Sequence, residues 1–281
     1  MAQPPKIIET VAGMRAWVGN ARADGGRIGL VPTMGALHEG HLSLVRETRS
    51  RCGATVVSIF VNPTQFGPNE DFARYPRTFE TDVAKLGGLA DVVFAPSAME
   101  MYPEGFATRL EVGGPALGLE ADIRPHFFSG VATVVAKLLI AAAPDEAIFG
   151  EKDYQQLLVI RRMAADLGLP VEIRSGATVR EPDGLAMSSR NVYLSPEERK
   201  IAGQLNIVLR DVGQRVRNGD GIAAAEQHGA ERLLEAGFDT VDYVAVRDAE
   251  KLSTIVALDR PARVLAAARI GATRLIDNVA A

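Results

Sequence analysis

Two histidines three residues apart, His38 and His41, lie in the segment PTMGALHEGH with Gly35 and Gly40. Glycines let a backbone approach a ligand closely, and imidazoles supply hydrogen-bond donors. If a helical turn has begun by His38, the three-residue spacing turns both rings to one side. A helix starting there adds free N–H groups and the positive end of its dipole, so the group this segment suits is a phosphate. Zinc is a competing chemistry, and solvated loop histidines are a third reading. Against zinc, the remaining histidines are His126 and His228, and the single cysteine, Cys52, makes no cluster with the pair.

Two further segments carry polar groups of the same kind. In IFGEKDYQQL, Lys152 and Asp153 stand between an apolar run and a helical pattern. Asp153 and Gln156 also have the spacing of a capping box, in which both side chains only satisfy backbone N–H groups, and Lys152 also suits a solvated surface. In MSSRN, Ser188, Ser189, Arg190 and Asn191 put two hydroxyls, a guanidinium and an amide within five residues. That donor set suits a triphosphate, and it equally suits turn caps in an ordinary loop.

Short β-branched runs alternate with longer segments of helical period, the pattern of a parallel sheet covered by helices, so the fold class is α/β. Strands are predicted at residues 27–31, in ATVVSIFV, in DVVFAP, up to Phe149, and in PVEIRS. Helices are predicted at residues 41–52, with Leu42, Val45 and Cys52 on one side, and at residues 78–89, 131–142 and in DYQQLLVIRRMAADLG. Both PTMGALHEGH and GEKDYQQ then follow strand ends, the edge where α/β sheets bind ligands. Beyond Arg180 the texture changes: EPDG reads as a turn and LAMSSRNVYL as a loop between domains. Ser195, Pro196 and Glu198 form a capping box that opens a helix running to about Asn218. A helix at residues 222–236 and the strands TVDYVAVRD and ARVLAAARI complete a small α+β unit.

With 281 residues and 47% hydrophobic content, two domains are expected, divided as 1–178 and 179–281. Thirty-one basic against 35 acidic residues provide no broad positive field, so neither nucleic acid nor a membrane surface is an expected partner. The apolar stretch GVATVVAKLLIAAAP contains Lys137 and is shorter than the ~20 residues that span a bilayer. MAQPPKIIET lacks the basic and apolar regions of a signal peptide, and the lone cysteine forms no internal disulfide, which together lead to an expected cytoplasmic location.

The HxGH-like element resembles the signature of the nucleotidylyltransferase superfamily. Taken in order, VPTMGALHEGHLSLV, IFVNPTQFGPNEDFARYPRTFETD, GVATVVAKL, FGEKDYQQLLVIRRM and DGLAMSSRNVYL closely resemble the pantothenate synthetase family over most of the first two thirds of the chain. The resemblance implies a Rossmann-like domain at 1–178 that binds ATP and pantoate, a smaller α+β lid domain at 179–281, and a homodimer. It implies ligation of pantoate to β-alanine through a pantoyl adenylate, with magnesium accompanying ATP. His38, His41, Lys152, Ser188, Ser189 and Arg190 are then the catalytic set, and Met34, Gly35, Gly150, Asp153, Val179 and Met187 the further ATP contacts. Gln65 and Gln156 correspond to the pantoate-binding pair, and Asp82 to the acidic metal position. One departure stands out: the family reads RPGHF before GVATVV, whereas this chain reads RPHFF, with His126 in place of glycine and Phe127 in place of histidine.

Overall fold

A computed structural model describes residues 3–23, 25–68 and 70–281. The chain divides into two compact units, the first made of Met1–Val112, Arg124–Glu151 and Val159–Ala177, the second of Gly113–Ile123, Lys152–Leu158 and Thr178–Ala281. The second unit is therefore not one continuous stretch from residue 179.

In the first unit six parallel strands, β1 (Lys6–Ile8), β2 (Ile28–Thr33), β3 (Ala54–Ile59), β4 (Val92–Phe94), β5 (Glu146–Gly150) and β6 (Glu172–Gly176), form a sheet of order β1-β4-β3-β2-β5-β6. Strands β2, β3 and β5 are buried along nearly their whole length, which is why they read as mostly apolar runs without alternation. The chain winds outward from β2 to β3 and β4, then returns to place β5 on the other side of β2. That reversal makes the carboxyl ends of β2 and β5 the switch point of the sheet, where a crevice for ligands opens.

Helix Glu39–Arg51 packs on β2, β3 and β5. The helix starts two residues before the predicted position; its buried side is Leu44, Val45 and Thr48, with Leu42 only partly buried, so of the expected face Val45 and Cys52 are buried and Leu42 lies at its margin. Helix Phe127–Ala142 begins four residues before the predicted start, because the apolar Phe127 and Phe128 extend its buried face. The first strand, β1, and the helix Val11–Ala23 escaped the sequence reading. A three-residue strand lacks a period to detect, and the helix buries only Met14 and Val18.

Cys52 lies at the end of helix Glu39–Arg51, buried against Glu146. Burial first, then the charge of the Glu146 carboxylate and a hydrogen bond to it, push the thiol up to about 11. Since the thiolate is the reactive form, the native protein is expected to resist thiol-specific labelling at pH 7 and to take up one equivalent on denaturation. Rapid stoichiometric labelling of the native protein would contradict this environment.

In the second unit the antiparallel strands β7 (Thr240–Asp248), β8 (Ala262–Ile270) and β9 (Thr273–Ala280) form a sheet of order β7-β8-β9. Helices Gln204–Arg217 and Ile222–Glu235 contribute Leu205, Val208, Leu209, Val212 and Leu233 to its core. Ser195 caps as expected: its hydroxyl accepts from Glu198 N–H at 3.2 Å and Glu198 Oε2 accepts from Ser195 N–H at 2.7 Å. The helix opened there ends at Ala202, and a second begins at Gln204. Strand β9 was missed because its centre carries Asp277 and Asn278, which look like loop residues. Both are buried, and Arg180 donates to the two Asp277 oxygens at 2.7 and 3.0 Å.

The segment Gly113–Ile123 joins this unit through Gln155. The Gln155 amide donates to the carbonyls of Pro115 and Gly118 at 3.0 and 3.1 Å, and its oxygen accepts from Glu120 N–H at 3.2 Å. Gln155→Ala would strand the buried Glu120 N–H and the partly buried carbonyls of Pro115 and Gly118, so unfolding measurements should show about 1–3 kcal/mol of lost stability. Wild-type stability in that variant would remove Gln155 from this anchoring role.

Candidate active site

Because the strands of the first unit are parallel, the segments after β2, β3 and β5 leave the same edge of the sheet. After β2 come Met34, Gly35 and Ala36, the last two in left-handed conformation with φ of +83° and +50°. This turn delivers His38 to the N-cap of helix Glu39–Arg51, and His41 lies in its first turn. The two imidazole centroids are 4.0 Å apart. His38 N–H donates to His41 Nδ1 at 3.4 Å, which assigns the His41 ring proton to Nε2 and makes that nitrogen a donor. A helix N-terminus with two imidazoles beside it has the chemistry to bind phosphate oxygens.

After β3, Asn62 caps the short turn Pro63–Gln65. Asn62 is buried, and its oxygen accepts from Thr64 N–H and Tyr102 O–H at 3.3 and 2.8 Å, while its amide donates to Gly130 O at 3.2 Å. Gly130 lets helix Phe127–Ala142 come this close, since a Cβ there would lie 2.4 Å from Thr64 O. Gln65 is held within this frame, 9% exposed, and its side-chain amide makes no hydrogen bond to a described residue. After β5 comes Gly150, the last residue of that strand.

The other expected residues belong to the second unit. Lys152 and Asp153 form a single 3₁₀ turn before helix Tyr154–Asp166, with Lys152 Nζ 3.9 Å from Asp153 Oδ2. Neither Asp153 nor Gln156 uses its side chain to cap this helix among the described residues, so the capping-box spacing does not operate. Adjacent glutamines do different work: Gln155 is buried as an anchor, and Gln156 is half-buried. Val179 and Met187 face each other across a turn, Met187 N–H donating to Val179 O at 3.0 Å. Ser188 then caps the turn Ser189–Tyr193, accepting from Arg190 N–H at 3.3 Å, so LAMSSRNVYL is ordered as a hairpin base and a 3₁₀ turn.

Asp82 does not offer the donor set of a cation site. It is fully buried, Oδ1 accepts from Leu37 N–H and Oδ2 from Ala36 N–H, both at 2.8 Å, and Thr78 Oγ1 donates to Oδ2 at 3.1 Å. Among the described residues, no group of three or more His, Cys, Asp or Glu side chains gathers around a possible metal position.

The chain matches the sequence profile of the family described as Pantoate-beta-alanine ligase over residues 6–280. It belongs to the pantoate–β-alanine ligase family. The pantothenate synthetase of Paramagnetospirillum magneticum is 55% identical over 280 residues, 99% of each chain. The crystal structure of pantothenate synthetase from Thermus thermophilus superposes with a TM-score of 0.90, at 49% identity and covering 98% of each chain. A pantoate–β-alanine ligase from Francisella tularensis, solved in complex with β-γ ATP and β-alanine, gives a TM-score of 0.82 at 34% identity, covering 98% of this chain and 97% of that one.

At RPHFF, where the sequence reading expected glycine and histidine in place of His126 and Phe127, the two residues have local partners. Phe127 lies under the Arg124 guanidinium, 3.8 Å from its carbon to the ring centroid. Arg124 in turn donates to Glu70 at 2.7 and 2.6 Å and to Gln65 O at 3.0 Å, tying the Gln65 segment to the start of helix Phe127–Ala142. Burial raises the Glu70 carboxyl, but the hydrogen bonds and charge of Arg124 outweigh it and hold the group below its usual range. Sequence reasoning overlooked Asn62, Thr78, Lys85, Arg124 and Gln155 as supports of the site. Only Asn62, followed by proline, carried a local signal, that of a turn start.

Proposed function

We propose that the chain joins pantoate to β-alanine, consuming ATP and passing through a pantoyl adenylate. A carboxylate is a poor acyl donor because its leaving group would be oxide. Attack of the pantoate carboxylate on the α-phosphorus of ATP releases pyrophosphate and leaves AMP as the leaving group. The neutral amine of β-alanine then attacks the acyl carbon, loses a proton, and expels AMP. No protein nucleophile is needed, so alignment and charge stabilisation carry the catalysis.

The observation that carries this reading is the close His38–His41 pair at a helix start on the switch-point edge of the sheet. His38 and His41 donate to the triphosphate, joined by Lys152, Ser188, Ser189 and Arg190. Met34, Gly35, Gly150, Asp153, Val179 and Met187 cradle the nucleotide, and Gln65 and Gln156 hold the hydroxyl and carboxylate oxygens of pantoate. Gln65, only 9% exposed and with a side-chain amide that makes no hydrogen bond to described residues, supports its part of this assignment. The Francisella tularensis complex supports ATP and β-alanine as ligands. Magnesium would arrive on the ATP phosphates, which need no cage of protein ligands, and no step above is routed through it. Homodimer formation rests on the family resemblance, and a cytoplasmic location on the single cysteine, which forms no internal disulfide.

An assay with ATP, pantoate and β-alanine, each omitted in turn, tests the reaction. Pyrophosphate should appear with ATP and pantoate, and AMP in multiple turnovers only when β-alanine is added. Pyrophosphate release that needs a phosphorylated acceptor and ignores the amine would instead make the chain a nucleotidylyltransferase.

A further inference from the structure

The Asp82 carboxylate is fully buried and already has three donors, so its chemistry is directed inward. Gly35 and Ala36 are consecutive left-handed residues, and the N–H groups of Ala36 and Leu37 both turn to the Asp82 carboxylate. Such a concavity of backbone N–H groups binds an anion, and here the anion is the Asp82 side chain. The arrangement holds Ala36, a residue with a Cβ, at a φ that L-residues disfavour. Helix Phe79–Lys85 makes a second contact with the same loop, because Lys85 Nζ donates to Leu37 O at 2.5 Å. His38, the N-cap of helix Glu39–Arg51, is the next residue. The loop is thus gripped on both its N–H and C=O groups immediately before the proposed phosphate donors begin.

We infer that Asp82 is a positioning residue for ATP: an internal anion that occupies the Ala36 and Leu37 N–H groups and fixes the loop that presents His38 and His41. This role rests on the ligase reading and replaces a metal ligand with a backbone anchor. Its physical basis is competition for the same donors. Without the carboxylate, Ala36 and Leu37 N–H would be free to turn towards a phosphate, and the strained turn would relax. With it, phosphate meets only the donors at the helix start. Neutralising Asp82 therefore loosens the loop although it removes a negative charge from the neighbourhood of a polyanion. Simple electrostatics would predict the opposite effect on ATP.

Asp82→Asn tests this, because the amide nitrogen can only donate and leaves one of the two backbone N–H groups facing a donor. The expected result is at least a tenfold fall in kcat/KM for ATP with KM for pantoate within about threefold of wild type. Amide exchange at Ala36 and Leu37 should accelerate at least tenfold in the same folded protein. The magnesium concentration for half-maximal rate should not move, and excess magnesium should not restore activity. Rescue by magnesium would overturn the inference in favour of a metal ligand, and unchanged ATP kinetics would overturn it in favour of a purely structural carboxylate. Should Asp82→Asn not fold, Lys85→Met decides: it keeps the carboxylate but releases Leu37 O, and a severalfold loss in kcat/KM for ATP supports the anchored loop, whereas wild-type kinetics sinks it. Failure of the ligase reading would show separately, as absence of AMP release by the wild type, and the exchange measurement at Ala36 and Leu37 would still test the anchor.

Discussion

Replacing His41 with alanine is expected to slow pantoate-dependent pyrophosphate release by about 30- to 1,000-fold, on the order of 2 to 4 kcal/mol, the worth of one preorganised donor to a developing oxyanion. Folding should be affected far less. The His41 ring is half-buried at the start of a helix, and the bond it accepts from His38 N–H is long, at 3.4 Å. The tautomer refines the expectation. A glutamine can place its amide nitrogen near the position of Nε2, whereas an asparagine reproduces only the Nδ1 side, so His41→Gln should retain more activity than His41→Asn. Pyrophosphate release and thermal unfolding measured on the same preparations check both points. Normal release from a folded His41→Ala protein would remove His41 from the catalytic set.

Loss of either pantoate-binding amide should give the second large effect. Gln65→Ala and Gln156→Ala are each expected to lower kcat/KM for pantoate by tens-fold, about 2 to 3 kcal/mol of lost hydrogen bonding, with much smaller changes in ATP binding. The neighbouring Gln155→Ala should do the reverse, losing stability while the folded enzyme keeps its pantoate constants, because the Gln155 amide is engaged by Pro115, Gly118 and Glu120. Calorimetry of ATP binding without pantoate, and AMP release at saturating ATP and β-alanine, separate the two behaviours. Equal damage to ATP and pantoate use in Gln65→Ala would point to collapse of the Asn62–Gln65 segment and not to a lost substrate contact.

Much of this was legible along the chain. Mostly apolar runs such as ATVVSIF and VVF can be buried strands only if both faces are covered, and alternation with helical segments leaves a parallel sheet as the simplest solution. The Ser195–Glu198 box was readable because capping is a local exchange between residues three apart. The order of PTMGALHEGH, NPTQFG, GEKDYQQ and MSSRN was enough to place the chain in its family. Local capping rules erred where several residues share the same spacing: Asp153 and Gln156 satisfied the pattern but do not form the box.

Sequence alone thus determined the fold class, the order of the polar motifs and the family, since these depend on periodicity and on residue types close together in the chain. Tertiary structure alone decided which polar residues face inward. Asp82 reaches back 46 residues to Ala36 N–H and 45 to Leu37 N–H, and no local pattern distinguishes such a carboxylate from a solvated or metal-binding one. Gln155 and Gln156 are identical in type and adjacent, yet the roughly 100° rotation per helical residue buries one as an anchor and leaves the other half-buried. Segment Gly113–Ile123 joins the second unit through contacts with residues distant in the chain, of which the Gln155 amide is one. The physical reason is common to all three: burial and long-range hydrogen bonds are set by where the chain returns, a property that no window of sequence contains.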